Sequence, residues 1–177
     1  MLDQYTAHKY MYDFLKGRVS LLQFEQWLYE HDELEAILGE QAYMELVSRN
    51  FKDKYASEEC EKQVRNLIDF GEFEQERVIA YLSKLTQPGS ELLAICDMVY
   101  EEYCAGYTFL RFIALTYILE AAQAKSELIS QEAARLLNFF ANGQLKITTE
   151  HDYMDLRKKS DQIEIHSIND MLDNLKD

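Results

Sequence analysis

The stretch 107–124, YTFLRFIALTYILEAAQA, constrains the chain most, because it is apolar on every side between Phe109 and Leu119. A helix with one face in water carries polar residues on that face, so such a run is expected in an interior. Phe, Ile, Tyr and Thr also favour strands, but the run passes without a break into Glu120, Ala121, Ala122, Gln123 and Ala124, which favour helix. The expectation is an all-α fold, a compact multi-helix bundle around a buried central helix over about 107–124.

Helix signals recur along the whole chain. Tyr10, Phe14 and Leu15 form a stripe that Gly17 closes. Ser20 and Gln23 make a capping box for a helix carrying Leu21, Phe24, Leu28 and His31 on one face, with Trp27 beside them. Further stripes use Leu34, Ile37 and Leu38, then Tyr43, Leu46 and Val47. Ser57 is placed to cap a helix bearing Cys60, Val64, Leu67 and Ile68 that stops near Gly71, and Val78, Tyr81, Leu82 and Leu85 mark the next. After the Pro88 turn, Leu92, Ile95, Cys96, Val99 and Tyr103 lead to Gly106. Ser130 reads as the cap of a helix over 131–142, stopped by Gly143.

Residues 145–147 read as a short connector. Thr149 with Asp152 then reads as a new helix start, Arg157-Lys158-Lys159 as the cationic end of a helix, and Ser167 with Asp170 as a last helix start. The expected organisation is one helical domain over 1–177, with a candidate subdomain turn at 86–89 and a loosely attached C-terminal helix within 161–177.

Charge narrows the partners. Thirty-two acids against 18 lysines and arginines leave a formal charge of −14, which repels phosphate backbones and anionic lipid unless a basic patch intervenes. The longest cluster, Arg157-Lys158-Lys159, is flanked by Asp152, Asp155 and Asp161. Neither nucleic acid nor membrane is therefore an expected partner. The N-terminus lacks the pattern of a signal peptide, the run near Phe109 is interrupted by Arg111 and Thr116, and the three cysteines lie among apolar neighbours. These features favour a cytoplasmic setting with reduced thiols.

No catalytic, cofactor or metal site is expected. Histidines 8, 31, 151 and 166 are scattered without HExxH or Glu-x-x-His spacing, the six glycines stand singly, and neither a nucleophile elbow nor an EF-hand order occurs. Acid and tyrosine do interleave, and Tyr29, Glu30, Asp32, Glu33, Glu35, Glu40 and Tyr43 make a candidate partner-binding face for a basic protein, with rings for contact and charge for steering. Glu45 with Arg49, and Glu61 with Arg65, are spaced as helical ion pairs. The cation Arg111, within the apolar run, is expected to pair with Glu101 or Glu102.

The pattern Phe14-Leu15-x-Gly17, Phe24-Glu25-x-Trp27-Leu28-Tyr29, Leu34-Glu35-x-x-Leu38-Gly39, Tyr43 and Leu46-Val47-Ser48-x-Asn50-Phe51-Lys52-x-Lys54 resembles a module of small acidic helical proteins of Gram-positive bacteria. Many of these are uncharacterised, and some look like immunity proteins of polymorphic toxin systems. The resemblance covers about residues 14–54 and brings no catalytic residues with it. It implies a non-catalytic binding protein, most concretely an immunity- or antitoxin-like inhibitor. The alternatives are a scaffold or adaptor self-associating as a homo-oligomer through Ile168, Met171, Leu172 and Leu175, and, behind it, an enzyme built on dispersed carboxylates.

Overall fold

A computed structural model describes residues 2–87, 89–163 and 173. It is mostly helical, as the periodicities require, with one small two-stranded sheet. Its contacts divide the chain into two compact units, Met1–Phe73 and Glu74–Asp177, so the division falls inside a helix. The turn at 86–89 lies in the second unit, and its Pro88 is outside the described residues. The last expected helix, including His166 and the Ile168–Leu175 stripe, also falls outside them.

The first unit contains α1 (Gln4–Leu15), α2 (Leu21–Glu30), α3 (Glu33–Leu38), α4 (Glu40–Val47) and α5 (Ala56–Arg65). Local sequence explains most boundaries. The Asp3 carboxylate accepts from the Thr6 amide, and the Ser20–Gln23 capping box forms in full. Gly17, at φ 70°, closes α1 with bonds from Gly17 N to Phe14 O and from Arg18 N to Asp13 O, the paired closure that needs a left-handed residue. The core is rich in stacked rings: Phe14 lies 4.3 Å from Phe24, and Tyr12 5.3 Å from Phe73. Such pairs add about 0.5–1.5 kcal/mol beyond the area they bury.

Ser57 does not cap α5. The Asp53 carboxylate receives the Tyr55 amide just ahead of the helix, while the Ser57 hydroxyl, already helical, donates to Glu61. Gly71 lies in the first turn of α6 (Phe70–Leu85), which the Asp69 side chain caps through the Glu72 amide.

In the second unit α6 is followed by α7 (Leu92–Ala105), a 3-10 turn at Thr108–Leu110, α8 (Arg111–Ile118), α9 (Ser126–Ala141) and the hairpin of β1 (Leu145–Thr149) with β2 (Asp152–Asp155). The central helix expected over 107–124 is thus only the eight residues of α8, entered through a 3-10 turn. Its burial is only in part as expected: Phe109 and Leu110 of the 3-10 turn and Ile113, Ala114 and Thr116 of α8 are buried, but Arg111, Phe112, Leu115 and Tyr117 are half-buried and Ile118 is exposed. Its length is not as expected, because Glu120 takes a left-handed φ of 55° and the bonds Glu120 N to Tyr117 O and Ala121 N to Thr116 O close the helix early. Ala122 is buried beyond that stop, so folding the chain back satisfies the core better than extending the helix.

Two other boundaries moved. α9 starts a turn before Ser130, because Ile129 joins the core, and the Ser130 hydroxyl donates to Thr86 O instead of capping. Residues 145–155 pair as an antiparallel hairpin with an irregularity between Ile147 and Thr149, where a connector and a helix start were expected. Leu145 and Ile147 point into the core and Lys146 to solvent, the alternation of a one-sided strand. Arg157-Lys158-Lys159 accordingly follows a strand and not an α-helix.

Candidate partner-binding face

The face on α2, α3 and α4 follows from which side of each short helix is buried. α2 turns Phe24, Trp27 and Leu28 inward. Trp27 stacks on Tyr10 at 4.4 Å and its carbonyl accepts from or faces His31 Nδ1 at 2.9 Å, so the indole is core and not contact surface. Tyr29, at the far edge, is 55% exposed while its hydroxyl donates to Val47 O at 3.3 Å, which ties the ring to the end of α4. A ring exposed yet anchored loses little conformational freedom on contact.

Gly39, at φ 85°, turns the chain from α3 into α4. The turn brings Tyr43 near acids eight and eleven residues earlier in sequence. Partial burial raises the Tyr43 phenol above the usual range, and the Asp32 and Glu35 carboxylates push it the same way. Asp32, Glu33, Glu35 and Glu40 are exposed, Glu30 accepts from Gln26 Nε2 at 2.7 Å, and Glu33 is held below the usual carboxylate range by its own and neighbouring backbone N–H groups. Among the described residues, no lysine or arginine pairs with Asp32, Glu35 or Glu40.

The contrast with the edge facing α5 is clear. Arg49 reaches Glu59 at 2.7 Å and Gln63 at 2.7 Å, and Glu45 accepts from Gln41 and Gln63, so the expected Glu45–Arg49 pair is replaced by links between helices. Glu61 accepts from Ser57, and Arg65 lies over the Phe70 ring at 4.8 Å. The acids of α3 and the start of α4 therefore present charge without a basic partner among the described residues, whereas acids along the α5 edge are largely satisfied within the fold.

Two apolar residues extend the face beyond those expected. Leu22 is 73% exposed and Met44 51%. Leu22 lies seven residues before Tyr29 and so shares its side of α2. Its misfit with the Leu21, Phe24, Leu28 stripe was the available signal.

The second unit holds a different polar centre. Glu74 is fully buried, and Arg77 donates to it at 2.6 Å and to both oxygens of Glu102. The Tyr107 hydroxyl donates to Glu74 Oε2 at 3.0 Å and accepts from the His151 amide at 3.1 Å. Burial, reinforced by Glu74 and Glu102, keeps this phenol protonated far above neutrality. Glu102, expected beside Arg111, thus has Arg77 as its bidentate cation, while Glu101 is exposed. Arg111 is half-buried with its guanidinium carbon 6.0 Å from the Tyr103 ring centre. It also lines a cavity of about 260 Å³ that includes Glu132, Asp155 and Arg157. Arg157 is bonded to both oxygens of Asp155, and Arg135 to both oxygens of Glu132. The Glu74–Arg77 spacing of three was a legible clue, but only the fold shows Glu102 on the same guanidinium.

Among the described residues no group of three or more His, Cys, Asp or Glu side chains is placed to hold a metal ion, and no helix is long and apolar enough to cross a membrane. No protein-family model, curated protein or solved structure matches the chain.

Proposed function

We propose that the chain is a non-catalytic protein-binding protein of the cytoplasm that covers a basic protein, most concretely an immunity- or antitoxin-like inhibitor that engages a basic toxin through α2, α3 and α4. The observation that carries this reading is the exposed ring of Tyr29, anchored to Val47 O at the end of α4, together with the exposed carboxylates of Asp32, Glu35 and Glu40, which have no lysine or arginine partner among the described residues. Aromatic side chains supply concentrated contact energy at interfaces, and like-signed charge around them steers a complementary partner. The resemblance of about residues 14–54 to immunity-like proteins supports the same face, since it spans all three helices.

The test is affinity capture from lysate of the host with the purified chain as bait, at low and high salt. A basic protein held at low salt and weakened at high salt is expected, with Tyr29→Ala and Tyr43→Ala each weakening the isolated complex by about tenfold or more. A partner bound equally well by both variants, or an affinity indifferent to salt, overturns the assignment of this face.

A further inference from the structure

We propose a second docking surface, in the groove between the start of α7 and the end of α8, whose occupant is a protein segment carrying an apolar anchor beside lysine or arginine. The groove encloses about 470 Å³ and is lined by Leu93, Tyr117, Ile118, Glu120 and Gln123. That volume lies in the range of ligand-binding clefts, roughly 300–1,000 Å³.

The groove arises from the early end of α8. Closure at Glu120 folds the chain away after Ile118, so no further helical turn covers that side chain, which is 43% exposed. Leu93 faces it from α7. It stands off the buried stripe of Leu92, Ile95, Cys96 and Val99 and is 44% exposed. Tyr117 forms the wall between them, its hydroxyl donating to Asp97 Oδ1 at 2.9 Å, a bond that raises the phenol above its usual range.

Charge selects the occupant. Among the described residues Glu120 is the only charged one in the lining, Asp97 adjoins it through Tyr117, and no lysine or arginine contributes. A second copy of this chain would bring another −14 toward the same acids. A cationic segment is attracted to them, and a branched apolar side chain fills the floor between Leu93 and Ile118. This surface is separate in sequence from the α2–α4 face, so either assignment can fail alone.

The full chain, labelled with ¹⁵N, is titrated with a short synthetic Leu-Leu-Lys-Lys repeat peptide and with a twin in which every Lys is Gln. Amide shifts are expected at Leu93, Asp97, Tyr117, Ile118 and Glu120, with the Lys peptide bound about fivefold tighter or better than its twin. Leu93→Ser is expected to weaken the Lys peptide about tenfold, and Glu120→Gln to narrow the gap between the two peptides, while Leu156→Ser, at an exposed leucine outside both surfaces, changes neither. Both groove positions are exposed, so thermal melting of each variant should match the parent. The proposal is overturned by an absence of shifts at these residues, by equal binding of the two peptides, by Leu93→Ser binding like the parent, or by a dimer in ultracentrifugation that Leu93→Ser dissolves.

Discussion

At the scale of single residues, Tyr107 shows how much one polar atom in an interior can hold. Its hydroxyl gives Glu74 a donor and offers an acceptor to the His151 amide, joining α6 to the hairpin. Tyr107→Phe should cost about 1–3 kcal/mol in chemical denaturation, because it takes one donor from the buried Glu74 carboxylate, which keeps Arg77, and removes the acceptor of the His151 N–H. The thiols differ chiefly in burial. Burial pushes Cys60 and Cys96 up to about 11, whereas Cys104 is exposed. Ellman's reagent at pH 8 should therefore modify Cys104 first in the native chain, with the other two reacting only on unfolding.

Asp155 supplies a pH dependence. Burial tends to raise its carboxyl, but the hydrogen bonds and charge of Arg157 outweigh burial and hold it below the usual range. A carboxyl depressed in the folded state adds stability that is fully present above its unfolded pKa of about 3.9 and is lost as the pH falls through the lower folded value. Thermal melting should fall more steeply below about pH 4 in the parent than in Asp155→Asn. Of these residues, Cys60 and Cys96 were legible as buried from their apolar neighbours, whereas Cys104, read the same way, is exposed on the far side of α7. Tyr107 was not legible, since it reads as one more apolar ring until the hairpin places an amide against it.

At the scale of elements, the loop between α7 and the 3-10 turn is the position least able to change. Gly106 has φ 133°, and a Cβ there would stand 2.9 Å from the His151 carbonyl oxygen. Gly106→Ala should destabilise by about 2–4 kcal/mol, from backbone strain together with the displacement of the hairpin turn, and heat denaturation of the variant measures it. Elements with a local stop or start were legible: the Ser20–Gln23 box and Gly17 could be read without a structure because their bonds lie within six residues. α8 and the hairpin were not. A Glu taking the left-handed position at 120, and strands of five and four residues, have no strong local signature, and each is stabilised by burial against distant residues.

At the scale of the molecule, a charge of −14 and an acidic face without paired lysines set the behaviour expected in solution. Association with a basic partner should slow as salt rises from low to physiological strength, with dissociation changing less, and stopped-flow mixing separates the two. An association rate that does not respond to salt would remove steering from the account.

The sequence by itself determined the helical class, the burial of Phe109, Leu110, Ile113 and Ala114 and the excess of acid, because apolar patterning and net charge are properties of the chain whatever its path. Tertiary structure alone decided that the Tyr29 hydroxyl reaches Val47 O, that Arg77 takes Glu102, and that Ile118 stays uncovered. These outcomes depend on which short helix turns which side toward which neighbour, and that is settled by packing between residues far apart in the chain.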